Sequence, residues 1–436
     1  MTINTFYTFI FLCICAINAI TSKSIDSTRN DLWLNHLECV DEMLTMPNDS
    51  SANCRFEIIN KIDIHDLLDM ALMNNNYRMI AADIFDRKYE NKFVLIVKNS
   101  NSYSLTIDGN TVSHNIKINS IYLLLEYFGE LISELYINFS NVMPDKNLEK
   151  CIELASRYCE KLRGFSVNGG RNMLRQVKNP FYNVTEVTFH MSEFETHTLS
   201  LAKIFPNVQL LQLLAVNIKN DDIFGHSLAK LEHLIISFGI FPGDSKHKKL
   251  IAKNHQIRVL NIAYGSATLV EFVSEHLPSL ETFILPDDTT VDYTDEIHFK
   301  NVKSFEINFV SGGLMNITFE RLEEFACDPD EFPNWIETIE RHPDLRKLKF
   351  HSRDGFEDEY ISLLGKIAKN LVEANFNCDN DVQIETIVNL LNECTFMERL
   401  YLSDVSKAFG DKLNVEIQDK WNLNQIKDDA IFIERR

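Results

Sequence analysis

One short pattern recurs along most of this chain: an apolar residue, two residues of any kind, a second apolar residue, one more residue, and a third apolar residue. It begins at Ile132-Leu135-Ile137 and Leu162-Phe165-Val167 and runs on through Val184-Val187-Phe189, Val208-Leu211-Leu213 and Leu231-Leu234-Ile236. Ile257-Leu260-Ile262, Leu280-Phe283-Leu285, Val302-Phe305-Ile307 and Leu322-Phe325-Cys327 come next. Leu345-Leu348-Phe350, Leu371-Ala374-Phe376 and Met397-Leu400-Leu402 complete the train. Successive first positions lie 30, 22, 24, 23, 26, 23, 22, 20, 23, 26 and 26 residues apart. A near-constant period of this size marks stacked structural units, none of which can bury its apolar face alone.

The alternation that ends each triplet predicts a short strand with its apolar side chains on one face. The segments between triplets carry helical spacing, as in Tyr360, Ser362, Leu363, Leu364, Ile367 and Ala368, or Ile384, Ile387, Val388, Leu390 and Leu391. Period and pattern together are those of the leucine-rich repeat. The expected fold class is α/β: a leucine-rich-repeat solenoid over residues 130–403, with an arc of short parallel strands inside and helices outside. Residues 404–436, with apolar Trp421, Ile426, Ile431, Phe432 and Ile433, read as a C-terminal cap without cysteines. The inner strand face is the expected target-binding surface. Its exposed positions lie between the apolar ones, for example Ser133 and Glu134, or Arg346 and Lys347.

Composition narrows the partners. Of 436 residues 45% are hydrophobic, enough for a packed interior throughout, and Phe is frequent at 30 whereas Gly (14) and Pro (10) are scarce. A net charge of −20 argues against nucleic acid and against an anionic membrane surface, both of which need gathered Lys and Arg. Phe6 to Ile20 is an apolar run followed by Ser22. It has the length of a secretory core and falls short of the roughly 20 residues of a membrane span. Residues 1–22 are therefore expected to be a cleaved signal peptide, and the chain to be secreted. Cys13 and Cys15 would leave with it, and Cys39, Cys54, Cys151, Cys159, Cys327, Cys378 and Cys394 remain. An odd, scattered set is a poor disulfide framework. Cys151 and Cys159 share an apolar helical stripe with Leu148, Ile152, Ala155 and Leu162, about 12 Å apart and beyond disulfide reach. A chain routed outward yet built without disulfides points to a reducing place of work.

Residues 46–90 read differently, as a small helical module, with residues 91–129 as connecting strands and a helix. Phe56, Ile59 and Ile62 form one apolar stripe, Leu67, Leu68, Ala71 and Leu72 a second, and Tyr77, Ile80, Ala81, Ile84 and Phe85 a third. The bland reading is an N-terminal cap of three helices. The stretch also resembles an F-box, in particular those of insect F-box/leucine-rich-repeat proteins. The resemblance rests on Cys54-x-Phe56-Glu57-Ile58-Ile59, Ile62 to Leu68, Ala71, Met73-Asn74, Tyr77-Arg78, Ile80-Ala81 and Asp83-Ile84-Phe85-x-Arg87-Lys88-Tyr89. It departs from the family in the extra stretch Asn48 to Asn53 after Met46-Pro47, and in Arg55 at a position usually apolar. The resemblance implies a substrate receptor of a ubiquitin ligase, whose F-box binds the adaptor Skp1 while the repeats hold a target protein. Phe56, Ile59, Ile62, Leu67, Leu68, Met73 and Tyr77 would then form the module's core or touch the adaptor. With a signal peptide in front, the layout is similar to the secreted salivary-gland effectors of gall midges, which implies action inside host plant cells.

Catalytic signatures are not found. The sequence holds no phosphate-binding glycine loop, no dinucleotide fingerprint, no His-Glu-x-x-His and no nucleophile elbow. Its 13 His are dispersed, none at zinc spacing with Cys, and the acidic runs at Asp287-Asp288 and Asp354 to Glu359 lack the ligand alternation of a calcium loop. No catalytic residue, metal or cofactor is expected, and the chain reads as a binding protein. Sequons occur at Asn48, Asn138, Asn183 and Asn316. Two other readings are a secreted extracellular leucine-rich-repeat binding protein with no ubiquitin role, and an ordinary cytosolic F-box protein.

Overall fold

The computed structural model of the protein describes residues 62–98, 102–139, 145–194, 200–219, 225–237, 245–263, 267–285, 289–290, 297–307, 310–311, 317–328, 335–351, 355–378, 382–427 and 429–436. The signal peptide, Phe56, Ile59, Cys39, Cys54, Asn48 and Asn316 lie outside them. The chain divides into two compact units, one ending at Asn91 and one beginning at Lys92.

In the first unit, helix α1 (Ile64–Met73) starts because Asp63 and Asp66 cap each other's backbone. Asp63 accepts from the Asp66 N–H at 2.9 Å and Asp66 from the Asp63 N–H at 3.2 Å, which satisfies two amides that helix geometry leaves unpaired. Asn74 ends this helix and opens the next, α2 (Asn75–Lys88), by accepting from the amides of Asn76 and Tyr77. The spacings Ile64, Leu67, Leu68, Ala71 and Tyr77, Ala81, Ile84, Phe85 put one apolar stripe on each helix, and all eight residues are buried. The Lys88 ammonium closes the hairpin on the Ile62 carbonyl.

The second unit opens with strands β1 (Phe93–Lys98), β2 (Tyr103–Ile107) and β3 (Asn110–Ile116), an antiparallel ribbon. Asp108 and Gly109 at its tip both take positive φ, as a tight two-residue hairpin turn requires. Twelve repeat strands follow. They are β4 (Glu134–Asn138), β5 (Gly164–Asn168), β6 (Glu186–His190), β7 (Leu210–Leu214), β8 (His233–Ser237) and β9 (Val259–Ile262). The other six are β10 (Thr282–Leu285), β11 (Ser304–Ile307), β12 (Glu324–Cys327), β13 (Lys347–Phe350), β14 (Glu373–Asn377) and β15 (Arg399–Ser403). Each pairs in parallel with the next, and β1 pairs in parallel with β4. After helix Lys407–Ile417 come strands β16 (Trp421–Lys427) and β17 (Ala430–Arg435); β17 pairs antiparallel with β15 and β16 antiparallel with β17, which finishes the 17-stranded sheet.

The register is that of the triplets. Leu135, Phe165, Val187, Leu211, Leu234, Leu260, Phe283, Phe305, Phe325, Leu348, Ala374 and Leu400 stand opposite one another in one continuous row, all buried. The first position of every triplet, from Ile132 to Met397, is buried too. This is a leucine-rich-repeat solenoid, with one apolar interior shared by twelve units. A side-chain ladder joins the turns ahead of the strands. Asn183, Asn207, Asn301 and Asn370 each sit one residue before a triplet and donate to a carbonyl of the preceding repeat, at 2.6 to 2.9 Å. Gln256 does the same at 2.8 Å. The buried Asn254 bridges repeats from inside, accepting from the Leu228 amide and donating to the Leu250 carbonyl, both at 2.7 Å.

Among the described residues helical returns occur in some repeats and not in others. Steps of 26 or 30 residues hold Lys146–Tyr158, Ser245–Ala252, Asp358–Ile367 and Ile384–Glu393. The steps of 20 and 22 residues hold no helix among the described residues; the last two run through the paired short strands Ile297–Phe299 and Ile317–Phe319. A helix advances about 1.5 Å per residue and an extended chain about 3.3 Å, so only the extended form spans the same return with fewer residues. Rings fill the space this leaves. Phe165, Phe181 and Phe205 stack at 5.2 to 5.6 Å, and Phe299, Phe319 and Phe305 at 4.9 to 5.6 Å.

Two stability outcomes follow from these contacts. Asn254→Ala leaves the Leu228 amide buried without its acceptor and should cost about 1–3 kcal/mol in urea unfolding. Met191, exposed with φ 45°, holds a left-handed conformation. Met191→Gly should therefore stabilise by about 0.5–1 kcal/mol, and a loss of stability would show that the Met191 side chain carries more than the strain costs.

Candidate functional site

The residues expected to meet an adaptor separate into two sets. Leu67, Leu68 and Tyr77 are buried in the helical hairpin, so their place is its core, and the Tyr77 hydroxyl has no hydrogen-bond partner among the described residues. Ile62 is half-buried. Met73 is 48% exposed, and two residues that sequence reasoning did not single out for this role, Leu72 and Met79, are exposed at 52% and 72%. These three apolar side chains flank the Asn74 to Asn76 junction in sequence, on the last turn of α1 and the first turns of α2. Burial raises the Asp66 carboxyl above its usual range, opposed by the hydrogen bond from the Asp63 amide and aided by the charge of the Asp63 carboxylate. The Lys88 ammonium is lowered by burial.

The target-binding candidates also divide. Glu134 and Lys347 hold the first outward position of β4 and β13 and are exposed, Lys347 in an ion pair with Glu324. Ser133 and Arg346 stand one residue earlier, where the backbone is committed to the ladder. The Ser133 carbonyl accepts from Arg163 and Gly164, and the Arg346 carbonyl from Val372 and Glu373. Ser133 is half-buried. Nine strand spacings separate the two pairs, about 43 Å at about 4.8 Å each, so they belong to no common small site.

The outward positions between them mix polar with apolar residues in the middle of the sheet. Leu210, Ile235, Val259 and Ile284 all point away from the interior and stay half-buried. The signal was present in sequence as Ile235 inside Leu234-Ile235-Ile236 and Ile284 inside Phe283-Ile284-Leu285, but an all-apolar run reads the same for either face.

Chemistry elsewhere is structural. His298 bridges Thr318 at 3.0 Å and Glu320 at 2.9 Å across two short outer strands, His298 and Glu320 exposed and Thr318 half-buried; its hydrogen bond holds the Glu320 carboxyl below the ordinary range. Glu193, buried, takes Arg171 at 3.3 Å and Lys219 as ion-pair partners and joins the loops that follow three successive repeat strands. Among the described residues no group of three or more His, Cys, Asp or Glu could hold a metal ion. No helix among them is long and apolar enough to cross a membrane.

Cys151, Cys159, Cys327, Cys378 and Cys394 are buried and unpaired. Burial pushes every one of these thiols up, Cys159 and Cys378 to about 12 and Cys394 to about 11. At pH 8 the thiolate fraction is then small and out of reach. Iodoacetamide should leave all five unmodified in the folded protein and alkylate them in denaturant; peptide mass spectrometry reads the difference.

No protein-family model matches the chain, and no curated protein does. Among solved structures it is similar to an internalin from Listeria monocytogenes, at 12% identity and TM-score 0.28 over 66% of this chain and 89% of that one. It is also similar to the complex of Rad7 and Elc1 in yeast, at 12% identity and TM-score 0.33 over 90% of this chain and 91% of that one. Similarity at this level leaves the repeat fold resting on the register of the chain's own strands.

Proposed function

We propose that the protein is a non-enzymatic receptor, secreted and active inside host cells, in which the repeats hold a target protein and the N-terminal module docks on a Skp1-like adaptor of a ubiquitin ligase. Transfer of ubiquitin would be performed by the recruited partners. One observation carries the reading. The helical hairpin fills its own core and still leaves Leu72, Met73 and Met79 at 52%, 48% and 72% exposure. Isolated exposed hydrophobes are ordinary, but three so close in sequence to one helix junction are of the kind a partner covers. The F-box resemblance of the same residues supplies the identity of that partner. The repeats support the other half of the reading, because a sheet that spends one face on the interior keeps the other for contact. Five buried, unpaired cysteines agree with a reducing destination. The net charge of −20 favours protein over nucleic acid as the target.

Purified Skp1 should be retained by the full chain and lost with Leu72→Lys combined with Met73→Lys. Both sites are exposed at the C-terminal end of a helix, where a cation is welcome, so stability should change by no more than about 0.5 kcal/mol. Failure of folded wild-type protein to retain Skp1 would remove the ubiquitin-ligase reading and leave a plain repeat binding protein.

A further inference from the structure

Across four consecutive strands, β7 to β10, the outward face of the sheet carries no carboxylate, ammonium or guanidinium. Charged residues make up 24% of the chain, so composition does not explain the gap. The register orders what stands there instead. Leu210 faces His233, which faces Val259, which faces Thr282; two residues further along, Gln212 faces Ile235, then Asn261, then Ile284. The apolar side chains Leu210, Ile235, Val259 and Ile284 therefore step one strand at a time, alternating between two levels, with Leu214 of β7 outward at a third level opposite Ser237. All four keep part of their surface in solvent.

The margin has a sign. Glu186 stands opposite Leu210 on β6, Glu306 opposite Ile284 on β11, and Glu232 precedes β8. The bordering cations Arg258 and Lys303 are both engaged by Glu281, at 2.9 and 3.6 Å. Glu186 and Glu232 have no ion pair among the described residues, and Arg163, the next cation, lies two strands beyond β7. A partner that covers this patch is matched by Lys or Arg around an apolar centre.

Geometry selects the partner's form. Every strand of the patch is hydrogen-bonded on both sides, so no incoming strand can add to it and recognition must come from side chains. Strands lie about 4.8 Å apart. The apolar positions i, i+4, i+7 and i+11 of an amphipathic helix advance by about 5.5 Å on average and fall alternately on either side of one line. A helix laid across the strands thus sets one apolar side chain over each of the four, in the same zigzag.

We propose that the outward face of β7 to β10 seats an amphipathic α-helix of a partner protein, its apolar stripe over Leu210, Ile235, Val259 and Ile284 and its basic flanks toward Glu186, Glu232 and Glu306. This rests on the reading that the repeats hold a protein target, and it states which repeats and what chemistry.

The test uses the full chain and three synthetic helix-forming peptides of about 15 residues, enough for four contact positions. One carries Leu at i, i+4, i+7 and i+11 with Lys flanks, one has Glu in place of Lys, and one has the Lys composition with the Leu positions shuffled. Fluorescence anisotropy should show the patterned Lys peptide binding about tenfold tighter than either other peptide, the effect of a modest electrostatic and packing difference. Ile235→Asn with Ile284→Asn should weaken it about tenfold, and Glu186→Lys with Glu232→Lys should erase the preference for Lys over Glu flanks. Circular dichroism confirms that each variant is folded. The proposal is overturned if the patterned Lys peptide does not bind, if all three peptides bind alike, or if neither pair of substitutions changes the result. Capture of Skp1 depends on Leu72 and Met73, so the receptor reading and this docking site can fail separately.

Discussion

The structure depends on one backbone contact repeated along the sheet. In each repeat the carbonyl of the residue after the first apolar position accepts two consecutive amides from the next repeat. Ser133 takes those of Arg163 and Gly164, Arg163 those of Thr185 and Glu186, and so on to Val372, which takes those of Glu398 and Arg399. Because each strand begins on such a shared acceptor, no strand can slip against its neighbour without losing both bonds. A one-residue slip would also turn the whole apolar row to solvent. The constant triplet is the sequence expression of that constraint, and the varied returns between triplets show how little else has to be constant.

The twelve strands and their interior rows were legible because period 2 within a triplet and a period near 23 between triplets are both carried by residue type. The outer layer was less so. A segment of helical spacing such as Ile384 to Leu391 announces itself, whereas the stretch from Leu280 to Val302 contains too few residues for its return to be read from pattern, and Phe283 and Phe299 meet only in the folded chain. The Asn ladder escaped notice because Asn183, Asn207, Asn301 and Asn370 precede the triplets, and a turn residue before a strand has many ordinary uses.

The candidate site was legible in type and not in place. Sequence gave apolar stripes in residues 62–89 without telling which side faced inward, so Leu67, Leu68 and Tyr77 stood beside Met73 until burial separated them. The binding face was placed at exposed polar positions by analogy between repeats. The central repeats instead hold Ile235 and Ile284 there, because a strand that is apolar on both faces carries no alternation to read. Charge told more about what the protein avoids than about what it holds.

Both ends of the sheet reverse direction. At one end β2 and β3 run antiparallel with shifts of register, and at the other β17 and β16 do the same, with the Arg435 guanidinium over the Trp421 ring. A parallel stack left open would offer each terminal strand as a template for an identical molecule, and repeats of this kind would lengthen into filaments. The ribbons present an edge strand that is uneven and largely polar, as Asn110 to Ile116 illustrates. Each edge of the parallel stack is thereby a poorer template for a further strand.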